Sequence, residues 1–263
     1  MSFLLTCISA YLQWSGRQLG WHKDDVNPHL TKHLDLLLGS ESSGDEDSGK
    51  DTNNRIFVPL CGKSVDMAYL AMHPKVSYIV GIDMVRDAAV DFATEHPELS
   101  IEEFPVNECD VGERQGVENA DTSQSTAAVA RSSSFHGNKL TILIRDLFDL
   151  LDRNDRAKLL TETMKDSSTS SSADHLFDTI IDRGSLVAIK PSQRQDYVLL
   201  MGELLRPGGV ILLITLDRRK TTTDEAKMDG PPFSINESEV WKLYEFHPWV
   251  DSVTVLDEVN DLT

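Results

Sequence analysis

Gly62 and Asp83 are residues whose types and spacing could do chemistry together. A glycine in a turn lets a ligand approach the main chain closely. A carboxylate at the end of the next strand can accept hydrogen bonds from both hydroxyls of a ribose. The pair therefore asks for an adenosine-like ligand, provided the elements around it bring the two residues to one edge. The stretch from Arg55 to Asp83, RIFVPLCGKSVDMAYLAMHPKVSYIVGID, reads as strand, glycine turn, helix, strand. Ile56, Phe57 and Val58 form a short apolar run ended by Pro59. Val65, Met67, Ala68, Leu70 and Ala71 predict a helix that His73-Pro74 stops, and Tyr78, Ile79, Val80 and Ile82 predict a second buried strand. A crossover of this length implies parallel strands with a right-handed connection. Ligands of such sheets sit beyond the carboxyl ends of the strands, where Gly62 and Asp83 would both lie.

Three adenosine-bearing ligands compete for this unit. A dinucleotide wants Gly-x-Gly-x-x-Gly, but the turn Leu60-Cys61-Gly62-Lys63-Ser64-Val65 has a single glycine. A nucleoside triphosphate wants a Walker A loop. Gly62-Lys63-Ser64 matches its second half, but its first glycine falls on Phe57, inside the strand. S-adenosylmethionine carries no phosphate and needs neither pattern. It requires one close backbone approach, a carboxylate for the ribose and a slot for adenine. The bland alternative is a strand–helix–strand unit that binds nothing.

The remaining elements predict a doubly wound, mostly parallel Rossmann-like α/β sheet flanked by helices, within a single domain spanning residues 1–263. Leu30, Leu34, Leu37 and Leu38 recur at helical spacing, and Asp87 to Glu95 is a second helix. Leu140–Ile144 is a third strand. Asp146 follows it, with Leu147 and Phe148 beside it, and suits either an adenine slot or a turn cap. Phe177–Ile181 is a fourth strand ending on Asp182-Arg183-Gly184. Ser192 with Gln195 resembles a capping box that opens a helix running to Leu205. Arg206-Pro207-Gly208-Gly209 reads as a tight turn, and Val210–Leu216 as the most apolar strand. Asn236 with Glu239 is a further capping box, and Ser252–Leu256 a sixth strand. Three polar stretches, about 39–54, 107–138 and 166–174, read as disordered insertions because they hold too little apolar surface to offset ordering entropy.

Composition bounds the function. The net charge of −18 argues against nucleic acid and anionic membranes as partners. No apolar run is long enough to span a bilayer. Three scattered cysteines, Cys7, Cys61 and Cys109, fit a reducing, cytoplasmic setting rather than a disulfide framework, and Cys61 reads as a packing residue. His22, His29 and His33 lack an acid–histidine metal spacing and read as surface residues, so no metal is expected. In the N-terminal arm, about 1–38, Trp14 and Trp21 flank Gly16 and Gly20. The tryptophans either pack the arm on the sheet or let it fold over a ligand, with Trp21 offering a flat face to a planar substrate. No Ser–His–Asp or Cys–His set suggests covalent catalysis.

The motifs FVPLCGKSVDM (Phe57–Met67), GID (Gly81–Asp83), DLFDL (Asp146–Leu150), DRGSLVAIKP (Asp182–Pro191) and DGPPF (Asp229–Phe233) resemble those of the thiopurine S-methyltransferase family of class I S-adenosylmethionine-dependent methyltransferases. The resemblance covers nearly the whole core, and PLCGK with DRGxLVAI is its specific part. It implies methyl transfer from S-adenosylmethionine to the sulfur of a small aromatic or heterocyclic thiol, by a chain expected to be a monomer.

Position by position, the resemblance implies that the arm around Trp14 closes over the cofactor. Leu60 and Gly62 would contact its methionine part, Asp83 its ribose, and Asp146 and Leu147 its adenine. Arg183 would sit by the sulfonium and the acceptor and stabilise the anionic form of the acceptor, and Trp21 would stack on the acceptor ring. The implied alternative for Arg183 is a structural ion pair with Asp182 or a loop carboxylate. The family arm often carries a tryptophan where this chain has Ala10. The chain stops shortly after the predicted strand Ser252–Leu256, so the last antiparallel strand of the family sheet is expected to be missing. Two other functions fit the same fold: methyl transfer to halide, thiocyanate or selenium and tellurium species, and a non-catalytic binding role.

Overall fold

A computed structural model describes residues 23–39, 54–105, 128–132, 140–163, 176–218 and 230–259. Seven strands form one sheet: β1 (Asn54–Pro59), β2 (Val76–Asp83), β3 (Ile101–Pro105), β4 (Ala128–Ser132), β5 (Leu140–Ile144), β6 (Phe177–Arg183) and β7 (Leu205–Ile214). Their order is β3-β4-β5-β2-β1-β6-β7. β5, β2, β1, β6 and β7 are parallel neighbours, whereas β4 runs antiparallel to both β3 and β5. The chain therefore steps from β1 to β2 and then outward to β5 on one side, before crossing back to β6 on the other. The reversal leaves a crevice between the carboxyl ends of β1 and β6, which is where open α/β sheets bind ligands.

Helices cover both faces, as two separate cores show. α1 (Pro28–Lys32), α2 (Leu34–Leu38), α3 (Val65–Ala71) and α4 (Arg86–Glu95) pack Leu30, Leu37, Met67, Leu70 and Phe92 against Ile56, Val58, Ile79 and Ile142. α5 (Arg153–Thr163), α6 (Ser185–Ala188), α7 (Arg194–Leu204) and α8 (Glu237–Tyr244) cover the other face, where Leu160, Leu186, Tyr197, Met201 and Tyr244 meet Phe57, Val80, Ile82 and Ile180. Ile56 and Val58 point one way and Phe57 the other, the period-two alternation of a strand buried on both sides.

Several elements differ from the sequence reading. The leucine-rich segment at the end of the arm is two short helices, not one. Asn27 caps α1 by accepting the His29 N–H at 2.9 Å, Pro28 occupies the first turn, and the helix breaks at His33. Ala128–Ser132 lies inside the stretch expected to be a disordered insertion, yet it forms β4. It gains a complete register with β3 and β5, a non-local pairing that a local composition window does not contain. Residues 107–127, 133–138, 40–53 and 166–174 of the expected insertions lie outside the described residues.

Arg206–Gly209, expected as a tight turn, falls within the span of β7 but loops out of the ladder, four residues standing opposite Asp178 between the Phe177–Leu205 and Thr179–Val210 pairs. Gly208 there has φ 76°, and Asp178, buried in β6, pairs with Arg206 and accepts the Arg55 N–H at 2.6 Å. Ser192 does not cap α7. A 3-10 turn over Pro191–Gln193 intervenes and the helix starts at Arg194, without a side-chain cap. The Asn236–Glu239 capping box is present in full.

Ser252–Leu256 is not a strand. Its neighbour Asp257 is instead held on α1 by Lys32, by His33 Nε2 at 2.7 Å and by His29 Nδ1 at 3.2 Å. His29 and His33 are thus hydrogen-bond partners of one carboxylate, more than the surface residues expected. Among the described residues no strand pairs with the outer edge of β7, and no helix is long and apolar enough to cross a membrane.

Candidate active site

The turn after β1 is built to turn sharply. Leu60 has φ 42° and Gly62 φ 50°, both in the left-handed region. Gly62 adopts it without a Cβ penalty, while Leu60 is held there by its neighbours: it packs against the core, and the Cys61 N–H continues the β1–β2 pairing by donating to Ile82 O at 3.0 Å. Cys61 is buried, and its thiol is pushed well above the usual range by that burial and by the charge of Asp83. It is a packing residue, as its setting in the sequence suggested.

Asp83 closes β2 and faces this turn. The Gly62 N–H donates to its Oδ2 at 2.9 Å and the Val85 N–H to its Oδ1 at 2.9 Å. Burial pushes its carboxyl up, and the N–H groups of Val85, Gly62 and Met84 pull it part of the way back. Three main-chain N–H groups use three of the carboxylate's roughly four acceptor positions, so at least one is left for a ribose hydroxyl. The main chain then carries the edge across to β5, where the Arg145 N–H donates to Asp83 O at 3.0 Å.

Asp146 follows β5 and caps the 3-10 helix Leu147–Leu151 by accepting the Phe148 N–H on Oδ1 at 2.9 Å. The turn-capping possibility raised by the sequence is therefore realised. Its other oxygen accepts from no side chain or N–H among the described residues. Leu147, 2% exposed, belongs to the core on the α7 face.

Arg183 ends β6, on the far side of the crevice. Its Nη1 donates to Asp66 Oδ2 at 2.8 Å, so its carboxylate partner is neither Asp182 nor a loop acid but the second residue of α3. Consecutive strand residues face opposite ways. Asp182 accordingly turns into the other core, where it accepts from Tyr197 Oη at 2.7 Å and from the Ser185 and Leu186 N–H groups at 2.8 and 3.2 Å. Burial raises its carboxyl to about 6, against the pull of those donors. Ser185 Oγ donates to Pro59 O at 2.7 Å, stitching the end of β6 to the end of β1 across the crevice.

Leu60, Gly62, Asp83, Asp146, Leu147 and Arg183 thus stand along the carboxyl ends of four adjacent strands, β5, β2, β1 and β6. Trp14 and Trp21 lie outside the described residues. Asp66 escaped the sequence reading. Its only signal was an acid in the first turn of an otherwise apolar helix, a common and unspecific feature. Among the described residues no group of histidine, cysteine, aspartate and glutamate side chains could hold a metal ion.

A mostly parallel sheet, with a sharp glycine turn after its central strand and a carboxylate at the end of the next strand bonded to that turn, is the architecture of the doubly wound α/β class. The model of the family described as thiopurine S-methyltransferase (TPMT) matches residues 11–159 and 166–262. The chain belongs to that family of S-adenosylmethionine-dependent methyltransferases. It is 30% identical to a thiopurine S-methyltransferase of Pseudomonas entomophila, over 95% of this chain and 87% of the relative. With that of Bos taurus it shares 31% identity, over 88% of this chain and 72% of the relative. With that of Vibrio atlanticus the figure is 28%, over 88% and 78%.

Proposed function

We propose that this methyltransferase acts on the sulfur of a small aromatic or heterocyclic thiol. The observation that carries the reading is the placing of a guanidinium, Arg183, across the crevice from the Gly62–Asp83 pair. One of its nitrogens is fixed to Asp66 at 2.8 Å, and its other N–H groups make no bond among the described residues. Membership of the thiopurine S-methyltransferase family supports the choice of sulfur as acceptor.

The donor set suits S-adenosylmethionine. Leu60 and Gly62 present main chain at a sharp turn to the methionine part, Asp83 accepts from the ribose, and Asp146 offers one carboxylate oxygen to adenine, with Leu147 packed in the core behind it. When bound, the cofactor supplies a methyl group already activated by a positive sulfonium. The chain's own share is then alignment and exclusion of water. Trp14 would close the arm over the site and Trp21 would stack on the acceptor ring. Arg183 donates a hydrogen bond to the acceptor sulfur, directly or through a water, and so orients it for attack on the methyl group. The thiol proton leaves to solvent. A small organic acceptor needs neither nucleic acid nor a membrane, and we read the chain as a cytoplasmic monomer.

The test is product formation. The full chain is incubated with S-adenosylmethionine and a panel of aromatic thiols, with thiocyanate and iodide as competing acceptors, and S-adenosylhomocysteine and methylthioether are quantified. Methylthioethers from the aromatic thiols, with a large loss in Arg183→Met, are the expected result. Turnover of iodide or thiocyanate alone would refute the acceptor class.

A further inference from the structure

The carboxylate of Asp66 does two things. Its Oδ2 accepts from Arg183 Nη1 at 2.8 Å, and its Oδ1 accepts the main-chain N–H of Asn27 at 2.8 Å. Asp66 is 2% exposed, and the Arg183 side chain 20%. At so short a distance, and with so little water between them, the carboxylate offsets most of the field of the guanidinium. Among the described residues no other carboxylate is bonded to Arg183. Asp182 is turned to Tyr197, Ser185 and Leu186, and Asp83 to Gly62 and Val85.

We infer that Asp66 is a positioning residue for the methyl acceptor: it fixes Arg183 and balances its charge, so that the acceptor sulfur meets a hydrogen-bond donor rather than a free cation. The site then selects thiones and weakly acidic thiols over strongly anionic thiolates. This inference rests on the placement of the acceptor beside Arg183 proposed above. The same carboxylate also joins Arg183 to the root of the arm. The Asn27 N–H is held by Asp66 while the Asn27 side chain caps α1, so the guanidinium and the last residue before α1 share one anchor.

A charge-balanced pair leaves a bound thiol close to its ordinary acidity, whereas an unbalanced guanidinium makes it a stronger acid. The thiolate absorbance of thiophenol, bound to the full chain loaded with S-adenosylhomocysteine, reports this without any turnover. In the wild-type chain the bound thiol is expected to titrate near its free value. In Asp66→Asn, which keeps an oxygen for the Asn27 N–H, its pKa is expected to fall by about one unit, a tenfold rise in ionisation. Asp66→Glu is expected to restore the wild-type value, with affinity for S-adenosylhomocysteine unchanged in all three.

A strongly depressed pKa in the wild-type complex overturns the inference even if the asparagine variant fails to fold. So does an unchanged pKa in a folded Asp66→Asn chain, since a merely structural Asp66 would alter stability and leave the thiol alone. The Arg183→Met variant separates the two levels. If it binds thiophenol with the wild-type affinity and pKa, the acceptor does not lie beside Arg183, and the fault is in that placement. If it weakens thiophenol while Asp66→Asn changes nothing, the placement stands and only the role of Asp66 fails.

Discussion

The main-chain N–H of Gly62 donates to Oδ2 of Asp83 at 2.9 Å. The turn after β1 and the last residue of β2 are therefore one hydrogen-bonded unit, ordered before any ligand arrives. Its carboxylate is buried, which disfavours its charge, and the N–H groups of Val85, Gly62 and Met84 offset only part of that cost. Ribose hydroxyls donating to Asp83 would supply further stabilisation of the charged form.

A pH dependence of cofactor binding follows. Hydroxyl donors favour ionised Asp83, and its carboxyl is raised in the folded chain, so protonation competes with binding above the ordinary aspartate range. The affinity for S-adenosylhomocysteine is expected to weaken as pH falls from neutrality, and to be weak and flat with pH in Asp83→Asn. Calorimetric titration across a pH series checks this, with Asp182→Asn as the control for the other raised carboxyl.

Asp182 gives the chain a stability that depends on pH in a stated direction. Burial raises its carboxyl to about 6 from the ordinary aspartate value of 3.8. Its contribution is therefore fully present below about pH 4 and is lost as pH rises through about 6. Between those limits the stability of the wild-type chain relative to Asp182→Asn is expected to fall by about 3 kcal/mol at most. Urea denaturation of both chains at several pH values measures the difference, and a constant gap would refute it.

Gly81 is required by packing. A Cβ there would lie 2.8 Å from Cys61 Sγ and 2.9 Å from Met67 Sδ. Gly81→Ala is expected to cost about 1–3 kcal/mol of stability and to disturb the Leu60–Gly62 turn through Cys61. Adding Cys61→Ala to it should recover part of the loss, because the sulfur is the nearest obstacle. A double-mutant cycle on melting temperatures reads the coupling.

Cys61 should be chemically quiet despite its place in the ligand turn. It is buried and its thiol is raised, so little thiolate is present and little of it is accessible. Peptide mapping after brief iodoacetamide treatment is expected to leave Cys61 unlabelled in the native chain and labelled in urea. Rapid native labelling at Cys61 would contradict the packing role.

The parts of the fold that were legible in the sequence are those set by local pattern. Ile56–Val58, Tyr78–Asp83 and Leu140–Ile144 are dense apolar runs, and each is a central strand. Gly62 and Asp83 could be paired from the strand–turn–helix–strand grammar alone. What was not legible depends on distant partners. Ala128–Ser132 becomes a strand only because β3 and β5 flank it, and Ser252–Leu256 has strand composition but leads into Asp257, whose partners are on α1. Asp66 and Arg183 are 117 residues apart in sequence, and nothing local to either announces the pair. Asp146 shows the middle case. Its residue type fitted both a cap and an adenine contact, and the structure realises the cap while leaving one oxygen for the other task.

The central claim is that the Gly62–Asp83 edge holds S-adenosylmethionine, and calorimetric titration of the full chain with S-adenosylhomocysteine tests it most directly, with Asp83→Ala alongside. Binding by the wild-type chain, weakened about tenfold to a hundredfold in the variant as expected for lost hydrogen bonds to a charged group, is the expected result. Equal affinity in a folded Asp83→Ala chain, or no binding by the folded wild-type chain, would contradict the assignment of the site.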